Sequence, residues 1–536
     1  MKLTKTLYVE YALCPKKAWF ELYAPRPKNK DETTRQLDGK KAGQLARDFF
    51  GKNKCINADS NNPQTKPGIY AEYPLRYQNL ECYCDLLRIN NDGSIDIFEV
   101  KAVNDIYRAK KLKPQLLEDV SFQYYVASKL GLNVKSINLM HFNRDYIFDG
   151  QNLLVDQLFV YDDVTDISKN RIDDVKNKIQ GYFSLDKNKA PSCPFSMACN
   201  LHREVCIYLD KCKEAKGLPT NNSTYDLYNV KIEKRNKLIN SNLKTFEDLY
   251  NSREFNTLSQ FNQIMIKNMV ENLPTYVDVP LLKKFISSIK YPIFFLDFET
   301  CQETFPKYKN SRPYSQIPFQ YSLHIMRKFD GDLNSACKEH KEYLGNGVDD
   351  PREDLAKQLI NDLEDRGSIV AYHSDFEEKV IKQLAKDYPH LSQELLKLVD
   401  RIIDLEKVFS QKKKIQTGYY AKKTETSKKG DPKYEEISSP CIYKNEMGSS
   451  SSIKHVLPAF YPNDNDMNYN NLKDVHRGDE AIEAYKKLAT LTSKPEIDEL
   501  RNNMLKYCCL DTKAMVALFI KFYDLAYSDQ MSLFEL

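Results

Sequence analysis

Long apolar runs are missing from this sequence of 536 residues. No stretch approaches the roughly 20 apolar residues that a membrane-spanning helix needs. The charged residues Lys2 and Lys5 are not followed by the apolar core of a signal peptide. A glycine-rich loop ending in Gly-Lys-Ser or Gly-Lys-Thr is also missing, which argues against an ATP-driven motor. We therefore expect a cytoplasmic protein without a membrane partner.

Neither sign of charge dominates the composition. The 79 Lys and Arg residues against 75 Asp and Glu residues give a formal net charge of +4. This balance neither requires nor excludes a nucleic-acid partner, because a local basic groove matters more than the total charge. The hydrophobic content of 41% and aromatic content of 12% are sufficient for packed cores. At this length we expect two or three globular domains.

Thirteen cysteines are present, and in a reducing cytoplasm they are not expected to form a disulfide framework. Cys14 stands at the start of a predicted helix, close to the only tryptophan. Four further cysteines are clustered far downstream, namely Cys193, Cys199, Cys206 and Cys212. Thiolate clusters of this kind hold zinc or iron–sulfur centres. The cluster therefore predicts a metal centre, with the identity of the metal open.

An apolar run at residues 291–301 ends in two carboxylates, Asp297 and Glu299. On a β-strand, residues two apart lie on the same face. Ionised carboxylates beside a buried face cost roughly several kcal/mol unless a cation neutralises them. Hard oxygen ligands suit Mg²⁺ or Mn²⁺, which catalyse phosphoryl transfer. The segment therefore predicts a metal site, while a strand end that reaches solvent is the simpler interpretation of so short a motif.

Two later segments add polar groups to this pattern. Residues 505–515 are predicted to form a helix that places Tyr507 and Asp511 on one face. Residues 368–378 are predicted to run from a short apolar strand through a polar turn into a helix that carries Asp375 and Glu377. A helix-face aromatic packed on the sheet is the alternative interpretation of Tyr507.

Together these segments resemble the DnaQ-like 3′→5′ exonuclease superfamily, which has an RNase H-like fold. Its members combine a strand Asp-x-Glu, a mid-chain aromatic–acid pair and a C-terminal Tyr-x-x-x-Asp or His-x-x-x-x-Asp. Lys506 excludes the histidine form here. The resemblance covers residues 291–536 and includes an uncharacterised bacterial subfamily with Asp-Phe-Glu-Thr and Tyr-Cys-x-x-Asp-Thr. It implies four carboxylate ligands for the metal ions, namely Asp297, Glu299, Glu377 and Asp511.

The same resemblance implies that Tyr507 orients the attacking water. It leaves open whether the mid-chain ligand is Glu377 or Asp375, and we favour Glu377. The expected metal ions are Mg²⁺ or Mn²⁺.

A second acidic constellation lies nearer the N-terminus. Residues 81–89 are predicted as a strand that contains Asp85, the turn at 90–93 is typical of a hairpin, and the returning strand contains Glu99 and Lys101. Period two places Glu99 and Lys101 on one face. An Asp, a hairpin and Glu-x-Lys form the pattern of PD-(D/E)xK nucleases, in which the carboxylates hold a metal and the lysine positions water or counters phosphate charge.

With the helix that carries Gln123 and the cysteines at both ends, residues 3–213 resemble RecB-like nucleases that contain a [4Fe–4S] cluster. The resemblance implies catalytic roles for Asp85, Glu99, Lys101 and Gln123. It also implies four cluster ligands, namely Cys14, Cys193, Cys199 and Cys206, with Cys212 as an alternative to Cys206 and zinc as an alternative to iron. The chain departs from that family at Arg47, where a histidine is usual, and at Ala127, where a tyrosine is usual.

We therefore expect an α/β protein with three parts. These are a RecB-like, restriction-endonuclease-like domain at 1–213, a helical connector at 214–287 and a DnaQ-like exonuclease domain at 288–536. The expected function is metal-dependent trimming or degradation of nucleic-acid ends, with single-stranded DNA favoured and RNA open. The alternative is a nucleic-acid-binding scaffold whose RecB-like half is inactive and only grips the strand.

Overall fold

The computed structural model describes residues 2–25, 34–193, 195, 199, 206–419, 432–473 and 475–531. The chain divides into two compact units. The first contains residues 1–216 and 302–315, and the second contains residues 217–301 and 316–536. Each unit combines helices with a mixed sheet, which confirms the α/β class. Among the described helices, none is long and apolar enough to cross a membrane.

The first unit begins with a short strand and three helices, and its sheet strands follow. In chain order its elements are β1 (Leu3–Thr4), α1 (Lys5–Leu13), α2 (Pro15–Tyr23), α3 (Thr34–Ala46), β2 (Cys55–Asn57), β3 (Gly68–Tyr77), β4 (Leu80–Ile89), β5 (Ile95–Lys101), β6 (Tyr107–Arg108), β7 (Lys111–Leu112), α4 (Pro114–Lys129), β8 (Val134–Phe142), α5 (Val155–Leu158), β9 (Phe159–Asp163), α6 (Thr165–Lys169), α7 (Ile172–Phe183) and α8 (Leu209–Ala215).

The main sheet of the first unit has the strand order β2-β3-β4-β5-β8-β9, with β1 beside β4. Strands β3, β4 and β5 form an antiparallel meander, and the predicted turn at 90–93 joins β4 to β5. Helix α4 connects β5 to β8, which pair in parallel, and buries Val120 and Val126 in the core. This connection brings the polar side of α4 to Glu99 on β5.

The second unit begins with helices, and the longest helix of the structure closes it. In chain order its elements are α9 (Ile232–Asn240), α10 (Phe246–Tyr250), α11 (Gln260–Val270), β10 (Tyr276–Val277), α12 (Val279–Ile286), β11 (Ile293–Gln302), β12 (Gln316–Met326), α13 (Leu333–Ala336), β13 (His340–Leu344), α14 (Arg352–Asp362), β14 (Ser368–Ala371), α15 (Asp375–Asp387), α16 (Ser392–Val399), β15 (Ile402–Asp404), β16 (Gln411–Tyr419), β17 (Pro432–Ser439), β18 (Ile442–Tyr443), α17 (Ile453–Phe460), α18 (Gly478–Leu488) and α19 (Lys494–Met531).

The main sheet of the second unit has the strand order β13-β12-β11-β14-β15. Strands β11, β14 and β15 are parallel, whereas β12 and β13 are antiparallel. Helix α19 packs on this sheet, with the ring of Phe519 5.8 Å from that of Phe295. The local predictions of the strand at 291–301, the strand, turn and helix at 368–378, and the helix around 505–515 are confirmed.

Most of the predicted connector lies inside the second unit. Phe261 on α11 and Leu282 on α12 belong to the same buried cluster as Phe295 on β11. This arrangement differs from the predicted division into three parts. The physical reason is that amphipathic helices bury their apolar faces against the nearest core, so a segment that resembles a linker in sequence becomes part of a domain.

Candidate functional site

Three carboxylates meet between the central strand of the second unit and the long helix α19. Strand β11 places Asp297 and Glu299 on one face, and α19 adds Asp511. Ligand oxygens of these three residues all lie within 4.8 Å of one another. Period two on the strand and one residue from α19 therefore bring together three of the four carboxylates that the DnaQ-like resemblance implies.

Asp511 is buried and Asp297 and Glu299 are half-buried, which makes their grouped negative charge costly. Burial, followed by repulsion from Asp511, raises the pKa values of Asp297 and Glu299 well above their usual range. Burial likewise raises the pKa of Asp511 to about 6. Lys454 opposes this effect at Glu299 and Asp511. A cluster of carboxylates in this state is the donor set that a hard divalent cation would satisfy, so the residues fit Mg²⁺ or Mn²⁺.

Two tyrosines hold Asp511 in place. The hydroxyl of Tyr469 donates to Oδ1 of Asp511 at 2.6 Å, and the side chain of Tyr507 also hydrogen-bonds to Asp511. Burial, followed by the charge of Asp511, keeps the pKa of Tyr507 far above its usual range, so its phenol remains a donor. Sequence reasoning predicted Tyr507 but missed Tyr469, because Tyr469 lies about 40 residues away in a short 3₁₀ turn with no local pattern.

The neighbours of Asp511 in the Tyr-Cys-x-x-Asp-Thr segment have separate contacts. The thiol of Cys508 lies 3.8 Å from Oδ2 of Asp297. The hydroxyl of Thr512 hydrogen-bonds to that of Ser322 on β12 at 2.7 Å. The segment therefore attaches α19 both to the carboxylate cluster and to the neighbouring strand.

The structure distinguishes the two candidates for the mid-chain acid. Glu377 on α15 is 3% exposed, and its Oε2 has no hydrogen-bond partner among the described residues, whereas Asp375 is exposed. Glu377 also contributes to the raised pKa values of Asp297 and Glu299. Its own pKa is raised to about 8, mainly by burial. An orphaned buried carboxylate beside the cluster is the expected position of a fourth ligand.

The buried Glu377 predicts a pH dependence of stability. Its pKa is about 8 in the folded protein against an ordinary value of 4.5, so the folded state keeps a proton that the unfolded chain loses. The stability from this group is therefore complete below pH 4.5 and is lost as the pH rises through about 8. We expect the melting temperature of the protein in EDTA to fall across this window and Glu377→Gln to reduce the fall. Thermal unfolding at several pH values measures this effect, with Asp375→Asn as the exposed control. An equal fall in Glu377→Gln and the parent protein would contradict the assignment.

In the first unit, Glu99 is the centre of a dense polar network. Its carboxylate is 1% exposed. Oε1 accepts hydrogen bonds from Lys5 and Lys101, each at 2.7 Å, and Oε2 accepts one from Gln123 at 2.7 Å. Glu99, Lys101 and Gln123, to which the RecB-like resemblance assigns catalytic roles, are therefore adjacent.

Two members of this network were missed by sequence reasoning. Asp119 on α4 pairs with Lys101 at 2.7 Å, lies 3.2 Å from Lys5 and accepts a hydrogen bond from Gln123 at 3.1 Å. Lys5 begins α1, far from Glu99 in the sequence. The sequence contains a signal for Asp119, because Asp119 stands four residues before Gln123 on one helix and therefore shares its face. It contains none for Lys5.

Asp85 completes the acidic side of this network. Its Oδ2 accepts the backbone N–H of Val100 at 2.7 Å. Burial, followed by the charge of Glu99, raises the pKa of Asp85 to about 7. Burial disfavours the charged form of Lys101 and so lowers its pKa. The negative charges of Asp119 and Glu99 favour the charged form more strongly, so the pKa of Lys101 is raised. Lys101 is therefore a charged ammonium between the carboxylates of Glu99 and Asp119. Lys5 brings a second positive charge to the same two carboxylates.

Arg47 and Ala127, which depart from the RecB-like pattern, lie in different surroundings. Arg47 donates to Oδ1 of Asn57 at 2.7 Å and lies 3.8 Å from a carboxylate oxygen of Glu72. Ala127 is fully buried on α4. Neither side chain has a recorded contact with Glu99.

The cysteines form a sulfur cluster in the first unit. The thiol of Cys193 interacts with three other thiols, and this interaction lowers the pKa of Cys193 and raises the pKa values of Cys14, Cys199 and Cys212. All four side chains are buried. This set of soft donors fits an iron–sulfur cluster or zinc.

Cys212 interacts with Cys193 through its side chain, whereas Cys206 acts through its charge on Cys14 and Cys199. Cys206 is half-buried, and its recorded hydrogen bond runs from its backbone N–H to the carbonyl of Cys199 at 2.8 Å. Cys212 lies on α8, whose packing brings its thiol inward. Of the two candidates that the RecB-like resemblance leaves open for the fourth thiol, this interaction favours Cys212.

Comparison with known proteins covers only part of this geometry. Residues 294–452 match a family model described as a domain of unknown function, DUF2779. This range includes Asp297, Glu299 and Glu377 but ends before Tyr507 and Asp511. The chain is also 24% identical over 253 residues to a Mycoplasma genitalium protein described as uncharacterised protein MG366. The matched region covers 45% of this chain and 33% of that protein. The chain thus spans about a third of the length of this relative. Neither description names an activity, so the proposed chemistry rests on the site itself.

Proposed function

We propose that the second unit is a metal-dependent nuclease that releases nucleotides from the 3′ ends of nucleic acids. The observation that carries the proposal is the grouping of Asp297, Glu299 and Asp511 within 4.8 Å in a site where burial disfavours their ionised forms. A divalent cation is the natural counter-charge for such a group. The resemblance to DnaQ-like exonucleases agrees with this chemistry.

The residues of the chain have distinct parts in this reaction. Asp297, Glu299, Asp511 and Glu377 would hold Mg²⁺ or Mn²⁺. When bound, these ions supply Lewis-acid activation of water and neutralise charge that develops on the phosphate. Tyr507 keeps its phenolic proton and can orient a water against the phosphorus. Tyr469 fixes Asp511 by its hydrogen bond at 2.6 Å, so the ligand does not have to reorganise during the reaction.

Positive groups lie beside the carboxylates and suit the approach of a phosphodiester. The exposed Lys454 on α17 lowers the pKa values of both Glu299 and Asp511, which places its charge within reach of them. Helix α18 begins at Gly478, where a Cβ atom would lie only 3.8 Å from Oε2 of Glu299. The N-terminal end of a helix carries a partial positive charge that attracts phosphate.

End-labelled single-stranded DNA and RNA test the proposal directly. We expect purified protein to release labelled mononucleotides from the 3′ end in Mg²⁺ or Mn²⁺ and to release none in EDTA. Running DNA and RNA in parallel determines the preferred substrate. Products from the 5′ end alone, or equal cleavage in EDTA, would contradict the proposal.

For the first unit we propose a second nuclease centre formed by Asp85, Glu99, Lys101 and Gln123, in agreement with the RecB-like resemblance. One observation favours a different function, which is strand binding without cleavage. Lys5 and Lys101 already satisfy Glu99 and Asp119, so the network is held by its own ion pairs. Breaking such buried pairs to admit a metal is costly.

Variants at Lys101 separate the two functions of the first unit. In an Asp297→Asn background, we expect Lys101→Ala to reduce the remaining cleavage by about 10²–10³-fold, the scale for removing one preorganised charge. Lys111→Ala, which changes an exposed lysine, is the matched control. The readout is cleavage of single-stranded and duplex DNA in Mn²⁺. Unchanged cleavage in Lys101→Ala, or no cleavage in the Asp297→Asn background, would favour the binding scaffold.

We further propose that Cys14, Cys193, Cys199 and Cys212 hold a [4Fe–4S] cluster, with zinc as the alternative metal. Such a cluster would join the start of α2 to α8 through bonds that do not depend on a large apolar core. The thirteen cysteines are free thiols, which suits a reducing compartment such as the cytoplasm.

A further inference from the structure

A second group of metal-ligand side chains lies on the sheet edge of the second unit. Strands β12 and β13 pair in a register that places His324 opposite His340 and Ser322 opposite Glu342. Because side chains two apart on a strand share a face, all four lie on one side of this pair of strands. Helix α19 covers that side, with Thr512 bonded to Ser322 and His324.

Three ligand atoms converge there. One ring nitrogen of His324, one ring nitrogen of His340 and the sulfur of Cys509 all lie within 4.8 Å of one another. His324 is 3% exposed, and the other two residues are partly buried. The two rings are 4.5 Å apart between centroids. Two imidazoles and one thiol are ligands that zinc prefers over the all-oxygen set of the carboxylate cluster.

The hydrogen-bond network determines which ring nitrogens are available. The carbonyl of Cys509 can only accept a hydrogen bond, and the hydroxyl of Thr512 donates to it at 3.1 Å. With that proton assigned to Cys509, the oxygen of Thr512 accepts from the hydroxyl of Ser322 at 2.7 Å and from Nδ1 of His324 at 2.7 Å. Having donated its proton, Ser322 accepts from Nε2 of His340 at 2.8 Å. Nε2 of His324 and Nδ1 of His340 therefore carry lone pairs.

This pattern is the one that metal-binding histidines require. A ligating imidazole is neutral and donates its other N–H to a neighbouring acceptor, which fixes the tautomer and the ring orientation. Burial lowers the pKa of His324 to about 3 and also lowers the pKa of His340, so both rings are neutral near pH 7.

An open cleft reaches the proposed ligands His340 and Cys509. The cleft has a volume of about 670 Å³, and its lining includes His340, Glu342, Cys509 and Lys513. An oxygen of Glu342 lies 3.9 Å from Nδ1 of His340, where it can complete a four-coordinate site. Cys508 and Cys509 are adjacent on α19 but face different neighbours, because Cys508 contacts Asp297.

We propose that His324, His340 and Cys509 form a zinc site, with Glu342 as the fourth ligand. Binding transfers the proton of the Cys509 thiol to solvent and leaves a thiolate on the metal. The site joins α19 to β12 and β13 and is separate from the Mg²⁺ or Mn²⁺ centre. It does not depend on the proposed nuclease activity.

Cobalt titration of the full chain tests this site. Co²⁺ replaces zinc and shows a thiolate-to-metal charge-transfer band, and excess Mg²⁺ fills the carboxylate centre. We expect His340→Gln and Cys509→Ser to bind the cobalt that shows this band at least about 10²-fold more weakly than the parent protein. The band should therefore be missing at cobalt concentrations that saturate the parent protein. His390→Gln and Cys55→Ser are the matched controls, since His390 is exposed and Cys55 lies in the first unit. Any cobalt bound by the sulfur cluster of the first unit contributes equally to the parent protein and to the four variants.

A milder variant keeps the test decisive if a ligand variant fails to fold. Ser322→Ala retains every ligand but removes the acceptor for Nε2 of His340, so we expect about 10–100-fold weaker cobalt binding. Identical cobalt uptake and spectra in the parent, His340→Gln, Cys509→Ser and Ser322→Ala would overturn the proposal.

Discussion

Asp297→Asn is expected to abolish release of mononucleotides by the second unit. The substitution keeps the size of the side chain but removes one charge from a group whose ligand oxygens lie within 4.8 Å of one another. We expect a loss of at least about 10³-fold, the upper end of the effect of removing one preorganised electrostatic group. The rate of 3′-end release from labelled single-stranded DNA in Mg²⁺ and Mn²⁺ measures this loss.

The same substitution is expected to stabilise the protein in EDTA. Burial and repulsion from Asp511 make the Asp297 carboxylate unfavourable without a cation, and an amide removes both costs. The melting temperature should therefore rise in EDTA and should respond less to Mn²⁺ than that of the parent protein. This opposite change in stability and activity separates a ligand from a residue that only supports the fold.

Two variants serve as controls for Asp297→Asn. Asp375→Asn removes a charge from an exposed site in the same unit and should leave the rate unchanged. Tyr507→Phe keeps the buried ring and removes only the hydroxyl, so turnover should fall while affinity for nucleic acid changes little. Full activity of Asp297→Asn would remove the carboxylate cluster from the mechanism, and full activity of Tyr507→Phe would reduce Tyr507 to a packing residue.

Replacing a cysteine of the sulfur cluster is expected to remove the metal centre that we propose for the first unit. Protein purified without oxygen should be brown and contain about four irons per chain. Cys14→Ser, Cys199→Ser and Cys212→Ser should each be colourless, because loss of one thiolate exposes an iron to solvent. Folding should also suffer, since structural metal sites supply about 10–16 kcal/mol in small zinc domains. Iron content, visible absorption and thermal unfolding measure these effects.

Cys206→Ser is the matched control for the fourth ligand. Its side chain is half-buried, and the structure records no direct thiol contact with Cys193, so this variant should keep its colour. Bleaching by Cys206→Ser with an intact Cys212→Ser would reverse the assignment. A colourless parent protein that contains one zinc would show that these four cysteines hold zinc and not an iron–sulfur cluster.

Local patterns in the sequence were sufficient to predict several elements that carry the candidate sites. The β4–β5 hairpin follows from alternating apolar residues around a turn that contains Gly93, which has a positive φ of 80°. Strand β11 and helix α19 follow from the apolar run before Asp297 and from the spacing of Tyr507 and Asp511. These features depend on period two, period 3.6 and turn chemistry, all of which act over a few residues.

The tertiary structure alone decided the partners of those residues. Lys5 lies 94 positions from Glu99, Tyr469 lies 42 positions from Asp511, and His324 meets Cys509 only because α19 packs on β12. Cys212 contacts Cys193 because α8 turns it inward, although Cys206 has the nearer spacing. Contacts between distant segments depend on how helices pack on sheets, and no local periodicity encodes them. The sequence by itself therefore determined which carboxylates and thiols could do chemistry, and the fold determined which of them meet and which lysines neutralise them.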